Sequence, residues 1–419
     1  MTEPKSIEET VRGIAREGFE HTFGRPRMSG RTEPHWKRIR ETGSALWLDT
    51  GDLQEATALW TPEFEALTTN NTLLNKEVQK GQYDKLIRKT AKALRAEAPD
   101  LEEQPLVLEI VFVLNAYHAL RLVEQFDAHV SVELHTDLAD DVERTVHYGK
   151  RYYAVCPERF YVKVPLTPAG FLAARRLEKE GVPINFTLGF SARQNYLAAQ
   201  MANPRFVNVF LGRLNSFVAE RGLGSGRNVG EKATRASARE ISRLRETGRS
   251  VTRQIAASIR SGDQVSALAG VDVLTMPTKV ARQYLEAPRE HPTSQVDEPC
   301  EIELAEGVRL ADFNGATLWE VPRSFKQTVD GLLGQALEQM DPEQLQDHFA
   351  QTGFPDFLPR WNPEEVATIA ADGKIPDYSK WKDRLQSGQL GLDALINMAG
   401  LQAFATDQRA LDDRIRSLI

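Results

Sequence analysis

One lysine lies inside an apolar segment, where a charged side chain is costly to bury. Lys163 follows Val162 and precedes Val164 in the run FYVKVP at residues 160–165. Burial lowers the pKa of a lysine, and the neutral amine that results can attack a carbonyl group and form a Schiff base. The other interpretation is a lysine that pairs with a carboxylate and serves only stability. The residue alone leaves both interpretations open.

Two carboxylates and two arginines follow or end other apolar segments and can serve the same chemistry. Asp49 and Glu133 can supply the general acid and base that carbinolamine formation and carbon–carbon cleavage require. Arg213 and Arg260 can hold a phosphate through fork-like hydrogen bonds. Taken singly, each carboxylate can equally form a salt bridge or cap a helix, and each arginine can form a surface ion pair. Their occurrence together with Lys163 favours an active site.

Eight short, β-rich apolar segments alternate with helical patterns. They are residues 45–50, 65–70, 129–134, 160–165, 183–188, 206–212, 254–259 and 271–277. One intervening helix is clear, because Thr167 can cap it, Pro168 fits its first turn and Gly181 can end it. Strands that alternate with helices form a parallel sheet with right-handed crossovers, and eight of them favour a closed barrel. We therefore predict an α/β fold, a (β/α)8 TIM barrel, over residues 45–290.

In such a barrel the catalytic residues lie at the C-terminal ends of the strands and in the loops that follow. The polar residues at those positions are Asp49, Asn70, Glu133, Lys163, Asn185, Thr187, Asn208, Arg213 and Arg260. The barrel therefore predicts that side chains far apart in the sequence meet in one site.

The residues on either side of the barrel are expected to be helical. Residues 1–44 contain one predicted helix and a basic, proline-containing lead-in, and residues 291–419 form a mostly helical extension. The expected elements of this extension are helices at 324–340, 342–351 and 391–418 and a short hairpin near 301–321. The last helix repeats apolar positions near helical spacing, so we expect it to pack over or beside the barrel mouth with Phe404 inward. Gly400 is expected to bend or split it, and a dimer contact elsewhere is the alternative, so the oligomeric state stays open.

The composition argues against several classes of protein. The chain has 419 residues with a net charge of −7, which argues against nucleic-acid binding through bulk positive charge. Two cysteines, Cys156 and Cys300, cannot form a disulfide framework or a zinc–thiolate cluster, so we expect a reducing compartment and no metal site. The polar N-terminus and the charged residues within 106–123 argue against a signal peptide and a membrane span. We expect a cytoplasmic protein.

Seven short motifs occur in an order that resembles a known enzyme family. They are LDT at 48–50, TTN at 68–70, SVEL at 131–134, VKVP at 162–165, INFTLGFS at 184–191, FLGR at 210–213 and SIR at 258–260. The ordered set resembles the transaldolase family of Schiff-base-forming aldolases, and FATDQRALDDRI at 404–415 resembles its C-terminal helix. The resemblance implies a transferase of the non-oxidative pentose phosphate pathway that needs neither a metal nor an organic cofactor.

The resemblance also implies catalytic roles. Lys163 forms the Schiff base with the ketone of sedoheptulose 7-phosphate or fructose 6-phosphate. Asp49 takes a proton from the hydroxyl of the carbon that is released, which leaves a dihydroxyacetone unit on the lysine. Glu133, with a water held near Thr187, moves protons while the imine forms and hydrolyses. Glyceraldehyde 3-phosphate or erythrose 4-phosphate then accepts the unit.

The substrate-binding roles come from the same resemblance. Asn70 and Asn185 bind the hydroxyls of the dihydroxyacetone unit. Arg213 and Arg260 bind the phosphates of the donor and acceptor sugars. The resemblance thus implies sugar phosphates as the partners of this chain, and neither a nucleic acid nor a membrane.

The sequence also departs from the family pattern in ways that affect substrate preference. Asn71 and Thr72 stand where proline and serine are usual, and Asn208 replaces a phosphate-binding serine but can still donate a hydrogen bond. Glu133 and Phe210 match the residues typical of transaldolases. In the related fructose 6-phosphate aldolases, which the sequence also resembles, the matching positions are glutamine and tyrosine. Such an aldolase, which releases free dihydroxyacetone, is the alternative function. A non-catalytic barrel whose C-terminal segment binds a partner is the third interpretation.

Overall fold

The computed structural model describes residues 6–28 and 30–419, and its core is a closed barrel of eight parallel strands. The strands are Ala45–Asp49 (β1), Phe64–Thr68 (β2), His129–Glu133 (β3), Phe160–Pro165 (β4), Ile184–Thr187 (β5), Phe206–Phe210 (β6), Arg253–Ala257 (β7) and Val273–Pro277 (β8). They pair in chain order, and β8 closes the barrel against β1. The (β/α)8 fold predicted from the sequence is confirmed.

Helices precede, surround and extend this barrel. The first thirteen are Ile7–Ala15 (α1), Pro34–Glu41 (α2), Leu53–Leu59 (α3), Asn71–Gln79 (α4), Asp84–Glu97 (α5), Glu103–Phe126 (α6), Val142–Val155 (α7), Pro168–Lys179 (α8), Ala192–Met201 (α9), Leu211–Glu220 (α10), Val229–Glu246 (α11), Gly262–Ala267 (α12) and Thr278–Glu286 (α13). The extension adds Arg323–Leu333 (α14), Pro342–Gln351 (α15), Pro363–Asp372 (α16), Tyr378–Gln386 (α17) and Leu392–Arg416 (α18). Short 3-10 helices occur at Thr136–Leu138, Leu310–Phe313 and Gly315–Leu318.

Among the described residues, two helices precede β1, where the sequence predicts one. The second of them, α2, begins with Pro34 in its first turn, and the side chain of Glu33 accepts a hydrogen bond from the N–H of His35. Proline fits the first turn because its missing N–H would have no partner there. Pro34, within the predicted basic, proline-containing lead-in, therefore starts a second helix.

Aromatic side chains close the lower part of the barrel interior. Trp47 on β1 stacks on Tyr161 of β4 with 5.8 Å between the ring centroids and meets Phe206 of β6 edge-on at 4.7 Å. Side chains two residues apart on a strand share a face. Asp49 and Lys163 therefore point into the same interior one layer nearer the C-terminal ends of the strands. The aromatic layer fills the barrel interior below, so the polar layer lies at the barrel mouth.

Helix α6 is the one described helix that is long and apolar enough to span a membrane. Its most apolar window is 89% buried inside the protein, where α1 and α5 pack against it. Its buried Glu109 forms an ion pair with Arg151 and accepts a hydrogen bond from the hydroxyl of Tyr148 at 2.6 Å. The burial and this internal pairing are typical of a core helix.

In the extension, α14 ends at Leu333 rather than at residue 340. Gly331 and Gly334 lie at this end, and glycine weakens a helix by about 1 kcal/mol relative to alanine. The chain turns after Gly334 and buries Leu337 and Met340. The helix predicted over 324–340 was therefore too long at its C-terminal end.

The hairpin predicted near residues 301–321 was wrong. Leu304 forms an isolated antiparallel bridge with Gly224, which belongs to a barrel loop. The chain then forms the two 3-10 helices, joined at Asn314 in the left-handed conformation with φ of 53°. The backbone partner of this segment is distant in sequence, so local patterning could not identify it.

Helix α18 continues through Gly400, so the prediction that it would split there was wrong. A Cβ atom at Gly400 would lie 2.8 Å from Cδ2 of Leu188 and 3.0 Å from Nη1 of Arg213. These distances are shorter than a normal van der Waals contact. The glycine therefore allows the helix to pack closely against the barrel mouth.

Candidate active site

A cavity of about 280 Å³ opens at the C-terminal end of the barrel. Eight of the ten predicted site residues line it, and these are Asp49, Asn70, Lys163, Asn185, Asn208, Phe210, Arg213 and Arg260. Glu133 and Thr187 lie buried on β3 and β5, the two strands that flank β4. Glu133 is in register with Lys163 and Thr187 with Pro165. The fold thus brings residues from seven strands and their following loops to one end of the barrel.

Lys163 lies on β4 between Glu133 of β3 and Asn185 of β5 and is 3% exposed. Its Nζ donates a hydrogen bond to the carbonyl oxygen of Thr69 at 2.6 Å. Burial lowers the pKa of this amine, and the charges of Glu133 and Asp49 oppose the shift. The neutral, nucleophilic form is therefore present at a lower pH than in an exposed lysine.

Asp49 ends β1 on the same cavity wall. Burial raises the pKa of its carboxyl group, and the charges of Lys163 and Lys76 oppose this. Its Oδ1 is buried and accepts no hydrogen bond from the described residues. An unused carboxylate oxygen near the lysine can accept a proton from a bound molecule.

Glu133 is 4% exposed and is held by the first residue of α4. Its Oε2 accepts a hydrogen bond from the main-chain N–H of Asn71 at 3.0 Å. The Asn71 side chain donates to the carbonyl oxygen of Leu134 at 3.0 Å and accepts from Asn115 at 2.9 Å. Burial raises the pKa of Glu133, whereas Lys163 and the Asn71 N–H lower it. Proline, the usual residue at this position in the family that the sequence resembles, would lack the N–H.

Two polar side chains on β5 retain unused hydrogen-bonding capacity. Asn185 donates from Nδ2 to the hydroxyl oxygen of Ser131 at 2.9 Å. The Oδ1 of Asn185 and the hydroxyl of Thr187 are buried and lack a partner within the described chain. Buried polar atoms without partners are rare in folded proteins, so a bound hydroxyl or water molecule fits here.

Two other asparagines of the cavity wall also support the backbone. Both amide atoms of Asn208 bond to the barrel, since Nδ2 donates to the carbonyl oxygen of Phe186 and Oδ1 accepts from the N–H of Gly189. The Oδ1 of Asn70 accepts from the N–H of Leu73 at 2.8 Å and so caps α4. These bonds fix the orientation of both side chains at the cavity wall.

Arg213 lies in the first turn of α10 and is 6% exposed. Its guanidinium packs over the neighbouring rings of Phe210 and Phe404, at 5.7 and 5.4 Å from their centroids. Burial and the nearby charge of Arg260 lower its pKa to about 10. Its Nη1 is buried and donates no hydrogen bond to any part of the chain that the structure describes. An anion in the cavity would stabilise this cation.

Arg260 follows β7 and packs across the start of α10. A Cβ atom at Gly212 would lie 2.6 Å from Nε of Arg260, so glycine leaves room for the arginine side chain. The main-chain N–H of Arg260 donates to Oε1 of Gln264 at 2.6 Å, which fixes the turn after the strand. The two arginines therefore share one end of the cavity.

The extension contributes two residues to the cavity wall, Lys374 and Phe404. Phe404 was expected to face inward, whereas Lys374 was not identified from the sequence. Lys374 lies in the loop before α17, and no local pattern indicates where that loop packs. Thr72 also contacts the extension, because its hydroxyl donates to Asp407 at 2.5 Å.

Comparison with known proteins adds independent evidence. The family model described as Transaldolase/Fructose-6-phosphate aldolase matches residues 46–334. A protein named Transaldolase from Xanthomonas euvesicatoria pv. vesicatoria is 29% identical over 270 residues, which cover 62% of this chain and 82% of the relative. A protein named Probable transaldolase from Thermus thermophilus is 32% identical over 247 residues, which cover 58% of this chain and 91% of the relative.

Proposed function

Since the chain belongs to the Transaldolase/Fructose-6-phosphate aldolase family, we propose that it is a transaldolase that uses Lys163 as its Schiff-base residue. It transfers a dihydroxyacetone unit from sedoheptulose 7-phosphate or fructose 6-phosphate to glyceraldehyde 3-phosphate or erythrose 4-phosphate. The carrying observation is the buried amine of Lys163 near the carboxylates of Glu133 and Asp49, in a cavity that ends in two arginines. The reaction belongs to the non-oxidative pentose phosphate pathway, and the free thiols of Cys156 and Cys300 fit a cytoplasmic location.

The first half of the reaction loads the lysine. Neutral Nζ of Lys163 attacks the ketone carbon of the donor, and loss of water from the carbinolamine gives the iminium. Glu133 is the acid–base group for this step, because it lies in register with Lys163 and retains a buried, unused Oε1. The hydroxyl of Thr187 and Oδ1 of Asn185 hold the water and a substrate hydroxyl, which satisfies both buried atoms.

The second half cleaves and re-forms a carbon–carbon bond. Asp49 accepts the proton of the hydroxyl on the carbon that leaves, that carbon becomes an aldehyde, and the bonding electrons move onto the iminium as an enamine. The enamine then attacks the aldehyde of the acceptor, and the new alkoxide takes the proton back from Asp49. Hydrolysis of the iminium releases the ketose product. Asn70 orients the hydroxyls, while Asn208, Arg213 and Arg260 line the phosphate end.

Borohydride trapping tests this assignment. Incubation with fructose 6-phosphate and borohydride should reduce the iminium to a stable secondary amine, and mass mapping should place the added three-carbon unit on Lys163. The Lys163→Met variant should lose the adduct and turnover. Lys279, in the first turn of α13, is the internal control. An adduct on Lys279, or one that persists in the Lys163→Met variant, would refute the assignment.

The alternative function is an aldolase that releases free dihydroxyacetone. Release requires protonation of the enamine and attack by water, and the ring of Phe210 cannot orient that water, whereas a tyrosine hydroxyl can. Phe210 lines the cavity and packs against Phe190 and Phe404. This apolar wall favours transfer over release.

Product analysis separates the two functions. With fructose 6-phosphate alone, we expect about one equivalent of glyceraldehyde 3-phosphate per site. Addition of erythrose 4-phosphate should give sustained turnover and a seven-carbon ketose phosphate. Phe210→Tyr should increase release of dihydroxyacetone without an acceptor. Steady acceptor-free release by the unmodified protein, near the two-substrate rate, would favour the aldolase.

A further inference from the structure

Lys374 contributes to the cavity from outside the segment that matches the family. The match ends at residue 334, whereas Lys374 lies in the loop between α16 and α17. This loop brings Lys374 to the same cavity as Arg213 and Arg260. The extension therefore adds a basic side chain to a site that the barrel largely builds.

Contacts with the barrel fix the loop that carries Lys374. Arg221 ends α10, and its guanidinium donates to the carbonyl oxygen of Ile375 at 2.5 Å and to that of Pro376 at 2.9 Å. The side chain of Ile375 is buried. These two anchored residues directly follow Lys374, so Lys374 is held at the cavity mouth.

The acidic residues that flank Lys374 are occupied by other groups. Asp372 forms an ion pair with Lys380 and accepts a hydrogen bond from the N–H of Asp377 at 2.9 Å. Asp377 accepts two bonds from Ser379, both at 2.9 Å. Lys374 forms none of the ion pairs found between described residues. Its ammonium is therefore available to an anion in the cavity.

The charges of the cavity wall favour such an anion. Arg213, Arg260 and Lys374 are cationic, whereas Asp49 is the one carboxylate among the described residues that line the cavity. Asp49 lies at the lysine end of the cavity. At the arginine end, Asp407 favours the charged form of Arg213 from outside the lining and offsets only part of the positive charge. A phosphate monoester carries about two negative charges near neutral pH and would balance this excess.

We infer that Lys374 is a third phosphate-binding residue, which increases the preference of this site for phosphorylated sugars. The inference rests on the proposed function, because it concerns the phosphate group of the same substrates. Lysine binds phosphate as a point charge, and the exposed position of Lys374 makes its contribution smaller than that of a buried arginine.

Charge-removing and charge-preserving variants test the inference. Lys374→Met should raise the KM for fructose 6-phosphate about three- to tenfold and lower kcat less than twofold, because an exposed charged contact contributes modestly. Inorganic phosphate should become a weaker competitive inhibitor by a similar factor. Lys374→Arg should restore both constants. Lys382→Met is the matched control, because Lys382 is an exposed lysine of α17 that does not line the described cavity.

Unphosphorylated fructose separates phosphate recognition from a structural effect. Its kcat/KM should change less than twofold in Lys374→Met. Equal losses on fructose and fructose 6-phosphate, or unchanged phosphate inhibition, would overturn the role of Lys374. Failure of the proposed function has a different signature, because the unmodified protein would then give neither a borohydride adduct nor a seven-carbon product.

Discussion

At the scale of single residues, three ionisable side chains interact at the lysine end of the cavity, and burial favours the neutral form of each. It raises the pKa of Asp49 and Glu133 and lowers that of Lys163, while their mutual attraction opposes these shifts. A neutral amine next to a protonated carboxyl group is suited to imine formation. The balance between burial and attraction therefore determines the pH at which the lysine reacts.

The main-chain N–H of Asn71 contributes to this balance. It lowers the pKa of Glu133, so its removal should raise that pKa and move the corresponding limb of the kcat/KM pH profile to higher pH. Asn71→Pro removes the N–H and fits the first turn of α4. Asn71→Ala is the control, since it keeps the N–H and loses the same side-chain bonds. Identical profiles for the two variants would show that the N–H is unimportant.

The charge of Lys163 also affects stability. Without its ammonium, the pKa values of Asp49 and Glu133 should rise further in the folded state. The folded protein then binds more protons than the unfolded chain between the unfolded and folded carboxyl pKa values, so stability falls as pH rises through that window. We expect Lys163→Met to be about 3–5 kcal/mol less stable above the window and nearer to the unmodified protein below it.

Denaturant unfolding at several pH values measures this effect. The double variant Lys163→Met, Asp49→Asn is the control, because it removes one of the two uncompensated carboxylates. Its loss of stability at high pH should be smaller than that of Lys163→Met. A loss of the same size at every pH would indicate a packing defect rather than a charge effect.

At the scale of elements, buried charges connect α18 to the barrel. Asp393 is fully buried and accepts bonds from Arg193 at 2.7 and 2.8 Å and from Ser191 at 2.6 Å. Asp393→Ala should destabilise the protein by about 3 kcal/mol, because it removes one partner of a buried pair. Asp356 still pairs with Arg193 and limits the loss. Thermal unfolding measures this loss of stability. The control is Asp413→Ala, at an exposed position of the same helix, which should change stability by less than about 0.5 kcal/mol.

Gly400 allows α18 to lie directly against Arg213. Gly400→Ala should cost about 1–3 kcal/mol through overpacking and should raise the KM for phosphorylated donors, because Arg213 must shift. Gly331→Ala in α14 is the matched control, since a Cβ atom there meets open space, and it should leave the KM unchanged. Steady-state kinetics and unfolding experiments on both glycine variants measure the KM and the stability. A normal KM for Gly400→Ala would indicate that the helix moves and Arg213 does not.

The elements of the barrel could be predicted from the sequence, and several of those outside it could not. Strands such as β4 are short apolar runs because both faces of a parallel sheet are buried, so each run identifies its own strand. Leu304 instead pairs with Gly224, a partner that no local pattern specifies. The seven motifs identified the polar ends of the strands because barrel geometry places those ends together.

At the scale of the whole molecule, the position of the extension relative to the barrel depends on long-range contacts. Lys374 reaches the cavity because Arg221, which ends a barrel helix, binds the loop that carries it. Arg221 and Lys374 are ordinary polar residues in the sequence, with no motif around them. The position of Lys374 therefore follows from tertiary structure alone, whereas the helical spacing of α18 predicts the inward position of Phe404.

The net charge of the molecule opposes that of its substrates, which allows a test with salt. Seven negative charges about 25 Å from a dianion repel it by roughly 2 kcal/mol in unscreened water. This distance is about three Debye lengths at physiological salt, so screening reduces the repulsion to roughly 0.1 kcal/mol. One cation about 4 Å away attracts the same dianion by roughly 2 kcal/mol and is screened much less. The cations of the cavity should therefore dominate at physiological ionic strength.

We expect kcat/KM for fructose 6-phosphate to fall as sodium chloride increases from about 0.05 to 0.5 M, because salt weakens attraction to the cationic end of the cavity. Initial rates at fixed pH measure this, with unphosphorylated fructose as the control whose kcat/KM should stay nearly constant. Lys374→Met should reduce the slope, since it removes one of the two exposed cations at this end of the cavity. A rate that rises with salt would mean that repulsion from the net charge of −7 outweighs the local attraction.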